Sequence, residues 1–249
     1  RASRAPPRNN GPNMNGTLYL IPCPISDETA PWDVLPAANR AVMDSLDYFI
    51  VENTRTARRF LSKAGIARPI AELEFRELNE HTVAGPDVEA LVDPIAAGRS
   101  AGVISEAGVP GVADPGALVV EACHRRGIRV VPLVGPSSIL LALMASGLNG
   151  QSFAFNGYLP VKPAERAQAI RRFERRARSE GQSQLFIEAP YRNAKLLEQL
   201  LQVLAPDTRL TLAVDLTAPG GQVTTRTVAE WRRASLPELN KRPAIFIIG

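Results

Sequence analysis

The feature that most constrains the fold is the stretch of residues 103–148, in which short apolar runs alternate with glycine-proline loops and helical patterns. It predicts strand, loop, helix, strand, loop and helix in turn, which is the order of a parallel α/β unit. The first loop, 106–116, reads EAGVPGVADPG, and the second, 135–138, reads GPSS. Because open parallel sheets bind ligands at the carboxyl ends of their strands, both loops are candidates for lining one pocket.

Length and a change of pattern predict two domains. A chain of 249 residues is longer than most single domains. An Asn-Gly turn at 149–150 is followed by an increase in aromatic residues, so we expect an N-terminal α/β domain over 16–150. Consecutive strands near the end predict a mixed-sheet α/β domain over 151–249. Residues 1–15 are basic, lack the apolar core of a signal peptide, and are expected to form a disordered leader.

Composition excludes several classes of protein. The formal net charge of +4 falls to +1 without the three leader arginines, so charge does not indicate a nucleic-acid partner. Cys23 and Cys123 are far apart and the chain has two histidines, which disfavours a metal site and suits reduced thiols in the cytoplasm. No apolar run approaches the roughly 20 residues of a membrane helix. No GxGxxG follows the first predicted strand, 17–21, which disfavours dinucleotide binding.

One candidate site follows the predicted strand 48–51, where the chain reads ENTRT. Asn53 or Thr54 is a plausible N-cap for the next helix. Polar side chains at a strand end also suit substrate binding. Helix capping plus a surface arginine explains the pattern slightly better.

A second candidate follows the predicted strand 184–187, where the chain reads EAPYRN over 188–193. A carboxylate, an aromatic ring and a guanidinium at one strand end form a suitable substrate-facing set. The alternative is a structural ion pair between Glu188 and Arg192. The substrate-facing role is modestly favoured.

The two glycine-proline loops also carry helix-start signals. Asp114 is expected to cap a helix whose first residue is Pro115. The GPSS loop opens another helix, whose N–H groups and hydroxyls could hold a carboxylate or a ribose. A proline and a serine cap at a helix start explain that loop equally well.

The predicted helix 164–178 is rich in arginine. Its six arginines outnumber the three acidic residues in and just after it, which are Glu165, Glu174 and Glu180. Such a face suits phosphate contacts, because guanidinium groups bind phosphates in a bidentate manner. A solvated charged face is an equally good interpretation.

Seven blocks of sequence, in order from about residue 17 to the end, carry a family resemblance. They are TLYLIPCPIS, VENTRTARRFL, ISEAGVPGVADPG, VVPLVGPSSILLALMASGL, FAFNGYLP, FIEAPYRN and LTLAVDLT. Together they are similar to the tetrapyrrole methylase superfamily of S-adenosylmethionine-dependent methyltransferases. Within it, they most resemble the branch that methylates a cytidine ribose of bacterial small-subunit ribosomal RNA.

The resemblance implies a cytoplasmic homodimer that binds S-adenosylmethionine in a cleft between its two domains. It also implies RNA contacts through the helix from Arg166 to Arg178 and needs no metal. The cofactor contacts it implies are Pro24, Ile25, Glu106, Val109, Ser137, Ser138, Ile139, Val214 and Ala244. Glu106 is also a candidate base for the ribose hydroxyl, and the catalytic candidates are Glu52, Arg55, Glu188 and Arg192.

Four positions differ from the pattern of that branch. Ser26 stands where it has glycine, Asn53 and Glu106 where it has aspartate, and Ala218 where it has lysine. The expected activity is therefore methyl transfer to RNA, with two alternatives. One is methylation of a small tetrapyrrole-like heterocycle, and the other is a catalytically inactive cofactor-binding protein.

Overall fold

The computed structural model describes residues 15–78, 82 and 84–249. The predicted leader up to residue 14 and His81 lie outside these residues. The chain forms two compact units. The first holds the described residues up to Cys23 together with Leu35–Gly135, and the second holds Pro24–Val34 and Pro136–Gly249.

Helices and strands alternate along most of the described chain. The strands are β1 (Thr17–Ile21), β2 (Tyr48–Val51), β3 (Glu74–Glu77), β4 (Ala101–Ile104), β5 (Arg129–Pro132), β6 (Phe153–Tyr158), β7 (Ser183–Ile187), β8 (Arg209–Val214), β9 (Gln222–Thr227) and β10 (Ala244–Ile248). The α-helices are α1 (Pro31–Val34), α2 (Asn39–Ser45), α3 (Thr54–Ala64), α4 (Pro86–Ala96), α5 (Gly116–Arg125), α6 (Ser138–Ser146), α7 (Pro163–Glu180), α8 (Asn193–Val203) and α9 (Val228–Arg233).

The first unit contains a parallel sheet with the strand order β3-β2-β4-β1-β5. Every residue of β2 and β4 is buried, as expected for central strands covered on both faces. Packing across β4 is tight at Gly102, where an added Cβ would lie 2.5 Å from the Cδ1 of Ile21. The parallel order places the ends of β2 and β4 side by side, at the edge where their polar loops begin.

The sequence does not predict β3. This strand reads EFRE, lies at the sheet edge, and pairs Tyr48 with Glu74. Its side chains are exposed or half-buried. An edge strand that buries so little has neither the alternation nor the apolar run that indicates a strand in the sequence.

The second unit contains a mixed sheet with the order β6-β7-β10-β8-β9, in which β6 and β7 are parallel and the other pairs antiparallel. Alternate residues face two separate cores. Leu185 and Ala213 pack with helix α6. Phe186 and Leu212 pack with α7, α8 and α9. The predicted α/β class, with a parallel and a mixed sheet, is confirmed.

Helix α6 belongs to the second unit, which begins at Pro136. Its Ala142 and Leu143 are buried against the second sheet, and the hydroxyl of Thr225 on β9 donates to the carbonyl of Ser146 at 2.7 Å. The division therefore falls earlier than the expected change of domain at residue 150. An Asn-Gly turn marks a change of local structure, whereas the apolar face of α6 decides which sheet it packs on.

Among the described helices, none combines the length and the apolar character needed to cross a membrane.

Candidate functional site

Three carboxylates lie together where strands β2 and β4 end. Glu52 follows β2, and its Oε1 accepts a hydrogen bond of 3.4 Å from the backbone N–H of Glu106, just after β4. The Glu52 side chain also shares a hydrogen bond with Asp114. Oδ1 of Asp114 accepts from the N–H groups of Gly111 at 2.5 Å and Gly116 at 2.9 Å, which fixes the loop.

These three side chains, Glu52, Glu106 and Asp114, form a carboxylate cluster, and burial changes the acidity of Glu52 and Asp114. Burial raises the pKa of Glu52, and the charges of Asp114 and Glu106 raise it further. Burial also raises the pKa of Asp114. A carboxylate whose pKa moves toward neutral is suited to accept a proton during a reaction. Within the described residues, no group of three or more histidine, cysteine or acidic side chains has the arrangement of a metal site.

Helix α3 begins at the same edge. The side chain of Asn53 accepts from the N–H groups of Arg55 at 2.9 Å and Thr56 at 3.2 Å, so the predicted N-cap is confirmed. The Thr56 hydroxyl donates to Oε1 of Glu106 at 2.6 Å. The cap therefore fixes the first turn of the helix, and that turn fixes Glu106.

Arg55 lines a groove at the start of α3. The groove is formed by Asn53, Thr54, Arg55, Arg58 and Glu77. The N–H of Thr54 donates to Oε1 of Glu77 at 3.0 Å, while both arginines are exposed. Two guanidinium groups on one groove suit an anion such as a phosphate.

The loop that carries Val109 is attached to the end of β1. Cys23 and Gly108 exchange backbone hydrogen bonds of 2.9 and 3.2 Å. The thiol of Cys23 donates to the carbonyl of Ser105 at 3.3 Å. Burial raises the pKa of this thiol to about 12, so it is an unreactive structural group. Val109 is half-buried and Glu106 is exposed.

Seven of the nine residues implied to contact the cofactor lie in the second unit, and Glu106 and Val109 lie in the first. Val214 and Ala244 are directly paired on β8 and β10. Ile187, which precedes Glu188, pairs with Ile245. Val214, Ala244 and Glu188 therefore share one edge of the second sheet.

The start of α6 reaches that edge. Leu148, past the far end of α6, packs on Gly249 after β10, so Ile139 lies toward the beginning of β10. Ser137 caps the helix through a hydrogen bond of 3.4 Å to the N–H of Leu140. The segment that follows Pro24 and Ile25 reaches the same edge, because the Thr29 hydroxyl donates to the carbonyl of Thr217 at 3.0 Å.

Glu188 is a buried ion held by two arginines. Its Oε1 accepts from the N–H of Ala189 at 2.7 Å and from Nε and Nη2 of Arg192 at 2.9 and 2.7 Å. Its Oε2 lies 3.9 Å from Nη1 of the buried Arg166. The structure thus contains the Glu188–Arg192 ion pair that was the alternative to a substrate-facing role.

The arginines of α7 divide into three groups. Arg166 is buried against Gln199 and Glu188. Arg176 and Arg178 pair with acidic residues. The other three are exposed and, in the described part of the chain, have no acidic partner; they are Arg171, Arg172 and Arg175.

The expected cap of helix α5 is wrong by one position. The helix begins at Gly116 with Pro115 as its N-cap, and Asp114 lies outside it. Asp114 instead organises the loop and joins Glu52, a role that sequence reasoning missed. The sequence feature that indicates this role is the position of Asp114 in the loop that follows the central strand β4.

Comparison with known protein families matches residues 25–231 to the Tetrapyrrole (Corrin/Porphyrin) Methylases. The chain belongs to this family. It is 32% identical over 94% of its length to a ribosomal RNA small subunit methyltransferase I of Xylella fastidiosa strain Temecula1, of which 80% is covered. It is 34% identical over 83% of its length to one of Vibrio cholerae, of which 67% is covered.

A solved structure of the methyltransferase CobJ shares the fold of this tetrapyrrole methylase. The TM-score is 0.62 with 19% identity, and 94% of each chain is covered. Family membership confirms the predicted enzyme class, a methyltransferase that uses S-adenosylmethionine.

The residues at the edge of the second sheet fit this cofactor. The first N–H groups of α6 have no acceptor within the helix and suit the cofactor's carboxylate. Half-buried Ile25 and Ile139 suit its adenine, while the side chains of Val214 and Ala244 are buried in the sheet. This donor set contains no charged side chain, which explains why no charged motif marks it in the sequence.

Proposed function

We propose that this tetrapyrrole methylase methylates small-subunit ribosomal RNA at a ribose 2′-hydroxyl. The observation that carries the proposal is the 30–34% identity, over most of the chain, to proteins named ribosomal RNA small subunit methyltransferase I. The cofactor supplies an electrophilic methyl group. The acceptor oxygen must then be held in line with that methyl group and must lose one proton.

The residues divide these tasks. Seven residues of the second unit hold the cofactor; they are Pro24, Ile25, Ser137, Ser138, Ile139, Val214 and Ala244. Glu52 accepts the proton of the ribose hydroxyl, since its pKa is raised by burial and by neighbouring carboxylates. Arg55 binds a substrate phosphate in its groove. Glu188 and Arg192, also catalytic candidates, act mainly by fixing each other at the edge of the second sheet.

The exposed face of α7 binds the RNA backbone. Arg171 and Arg175 are one helical turn apart, and Arg172 lies beside them on the same side of the helix. Unpaired arginines attract phosphates by releasing condensed counterions, so their contribution falls as salt rises. The buried Arg166 takes no part in this surface.

The working enzyme is a cytoplasmic homodimer in this proposal. Sedimentation equilibrium at micromolar concentration checks the assembly. A species with the mass of one chain at these concentrations contradicts it.

Two measurements on the purified protein test the function. Calorimetry should detect binding of S-adenosylmethionine and S-adenosylhomocysteine. Radiolabelled methyl transfer should label small ribosomal subunits, or their RNA, from a strain that lacks the orthologous enzyme. Digestion to nucleosides should yield a 2′-O-methylated nucleoside.

Each alternative has its own outcome. Cofactor binding without transfer to any RNA would indicate the inactive cofactor-binding protein. Label on a porphyrin or corrin precursor, with none on RNA, would indicate a small-molecule enzyme. Absence of cofactor binding would contradict all three interpretations.

A variant pair tests the RNA surface. Arg171→Glu with Arg175→Glu should weaken RNA binding and reduce its salt dependence, while cofactor affinity stays unchanged. Arg176→Glu with Glu180→Arg, which retains an opposite-charge pair, is the matched control on the same helix. Normal RNA binding by the first variant would show that α7 is only a solvated face.

A further inference from the structure

Two tyrosines are exposed where β6 and β7 end. Tyr158 is the last residue of β6 and pairs with Ile187 at the end of β7. Tyr191 lies in the short 3₁₀ turn Pro190–Arg192 that follows. Their exposed fractions are 64% and 66%. Neither ring belongs to a hydrophobic core of the unit, so packing does not explain why both positions carry aromatic side chains.

Arg192 contacts one of these tyrosines, Tyr191, directly. Its Nη1 donates to the hydroxyl of Tyr191 at 3.0 Å, and its guanidinium lies 5.0 Å from the centroid of that ring. The pKa of Arg192 is raised first by its hydrogen bond to Glu188, and the electrostatic influence of both tyrosines adds to the shift. Tyr191 therefore lies against this guanidinium, and Tyr158 belongs to the same strand end through its pairing with Ile187.

Buried charged residues hold Arg192 in place beneath the exposed ring of Tyr191. Arg192 donates twice to the buried Glu188, whose other oxygen faces Arg166. Pro190 fixes the backbone at the start of the turn. An exposed aromatic ring on a fixed support loses little conformational entropy when a flat ligand stacks on it.

We propose that Tyr158 and Tyr191 form a stacking platform for an unpaired nucleobase of the RNA substrate. The inference rests on the proposed function and adds a contact to it. Proteins that bind single-stranded RNA place bases on exposed aromatic rings and arginine planes beside a cationic surface. The same unit supplies that surface on α7, which begins five residues after Tyr158. The charge of the neighbourhood thus favours a polyanion over a second copy of this chain.

A ring substitution separates stacking from other roles. Tyr158→Phe with Tyr191→Phe keeps both π-faces and removes the hydroxyl that accepts from Arg192. Tyr158→Ala with Tyr191→Ala removes the faces as well. A platform requires RNA binding to survive the first change and fail in the second. A role limited to orienting Arg192 requires the first change to be as harmful as the second.

The experiment is fluorescence anisotropy with a short single-stranded RNA, using the full chain and saturating S-adenosylhomocysteine. The double alanine variant should bind the RNA about tenfold or more weakly, since one stacked base contributes about 1–3 kcal/mol. Its salt dependence should match the wild type, because no phosphate contact is lost. Phe153→Ala, an exposed ring at the opposite end of β6, is the matched control and should bind normally.

Three outcomes would overturn the platform. The double alanine variant could bind RNA as the wild type does, or bind S-adenosylhomocysteine more weakly, which would place the rings in the cofactor site. It could also sediment at a lower mass than the wild type, which would place the rings between two copies of the chain. If the wild type binds and methylates no RNA, the proposed function fails and the platform fails with it. If the wild type and the alanine variant methylate RNA with the same KM, only the platform fails.

Discussion

Glu52 in the first unit and Glu188 in the second occupy similar positions in the sequence but different environments. Each carboxylate follows a buried strand and precedes an arginine by three or four residues. Glu188 is bound by Arg192 and faces the buried Arg166. Glu52 instead lies beside two other carboxylates, those of Asp114 and Glu106. The same local pattern thus yields a carboxylate paired with arginines in one unit and a carboxylate of raised pKa in the other.

The backbone that follows each carboxylate explains the difference. After Glu52 the helix begins at once, because Asn53 caps α3 and Arg55 is carried into a groove with Arg58. After Glu188 a 3₁₀ turn intervenes, and Arg192 folds back onto the carboxylate. Hence the type of turn, more than the residue types, decides which carboxylate stays available for chemistry.

The largest expected effect is a loss of stability when the ion pairs of Glu188 are removed. Glu188→Ala leaves Arg166 buried without its counter-charge, which should lower the free energy of unfolding by about 3–5 kcal/mol. Urea denaturation followed by circular dichroism measures the loss. Asp207→Ala is the control, because it breaks an exposed pair with Arg178 and should change stability far less. Equal effects of the two substitutions would contradict a structural role for Glu188.

The next effect tests the proton acceptor. Glu52→Gln keeps the shape of the side chain but removes its basicity, so the rate of methyl transfer should fall by at least about 100-fold. Steady-state kinetics on the RNA substrate measures this loss, with cofactor affinity as the check on folding. If kcat stays within a fewfold of the wild type, the base is another residue, and Glu106→Gln becomes the variant to compare.

The fold was largely predictable from the sequence because central strands are continuous apolar runs and amphipathic helices carry periodic apolar patterns. β2 and the helix around Ile170 were predicted in this way. The edge strand β3 was missed, since its EFRE sequence buries little. The position of α6 on the second sheet was also missed, because a short helix of nearly uniform apolarity does not indicate which neighbour it will pack on.

The site was less predictable, because residues from distant parts of the sequence create it. Strand ends drew attention to Glu52 and Glu106, but the hydrogen bond that Glu52 makes to Asp114 depends on a loop residue eight positions beyond Glu106. The capping pattern suggested a different role for that aspartate. Similarly, the sequence showed six arginines on one helix, and only their partners in space separate the buried Arg166 from the unpaired ones.

A smaller effect tests the groove beside Glu52. Arg55→Ala with Arg58→Ala should weaken RNA binding by several-fold and lower the slope of log affinity against log salt by roughly 1. Anisotropy titrations at three salt concentrations measure both quantities. Arg125→Ala, in the same unit but paired with Glu121 and Glu89, should leave the slope unchanged. An unchanged slope in the double variant would exclude a phosphate contact in the groove.

The smallest expected effect is a difference in how stability depends on pH. Because the pKa of Glu52 is raised by folding, the folded chain holds its proton more tightly than the unfolded chain does. The stability from this group is complete below the pKa of the unfolded state and is lost as pH rises through the folded pKa. The Glu52→Gln variant has no carboxyl group to lose this contribution. The free energy of unfolding of the variant, measured in urea relative to that of the wild type, should therefore increase from pH 4 to pH 8.

Glu230 provides a control of opposite sign. Hydrogen bonds from Thr227 at the start of α9 lower its pKa. Its contribution is therefore present above the pKa of the unfolded state and lost as pH falls through the folded pKa. Glu230→Gln should cost more at pH 8 than at pH 4, the reverse of Glu52→Gln. If both variants follow the same trend, the carboxylate cluster around Glu52 does not share a proton, and its assignment as the base loses its electrostatic support.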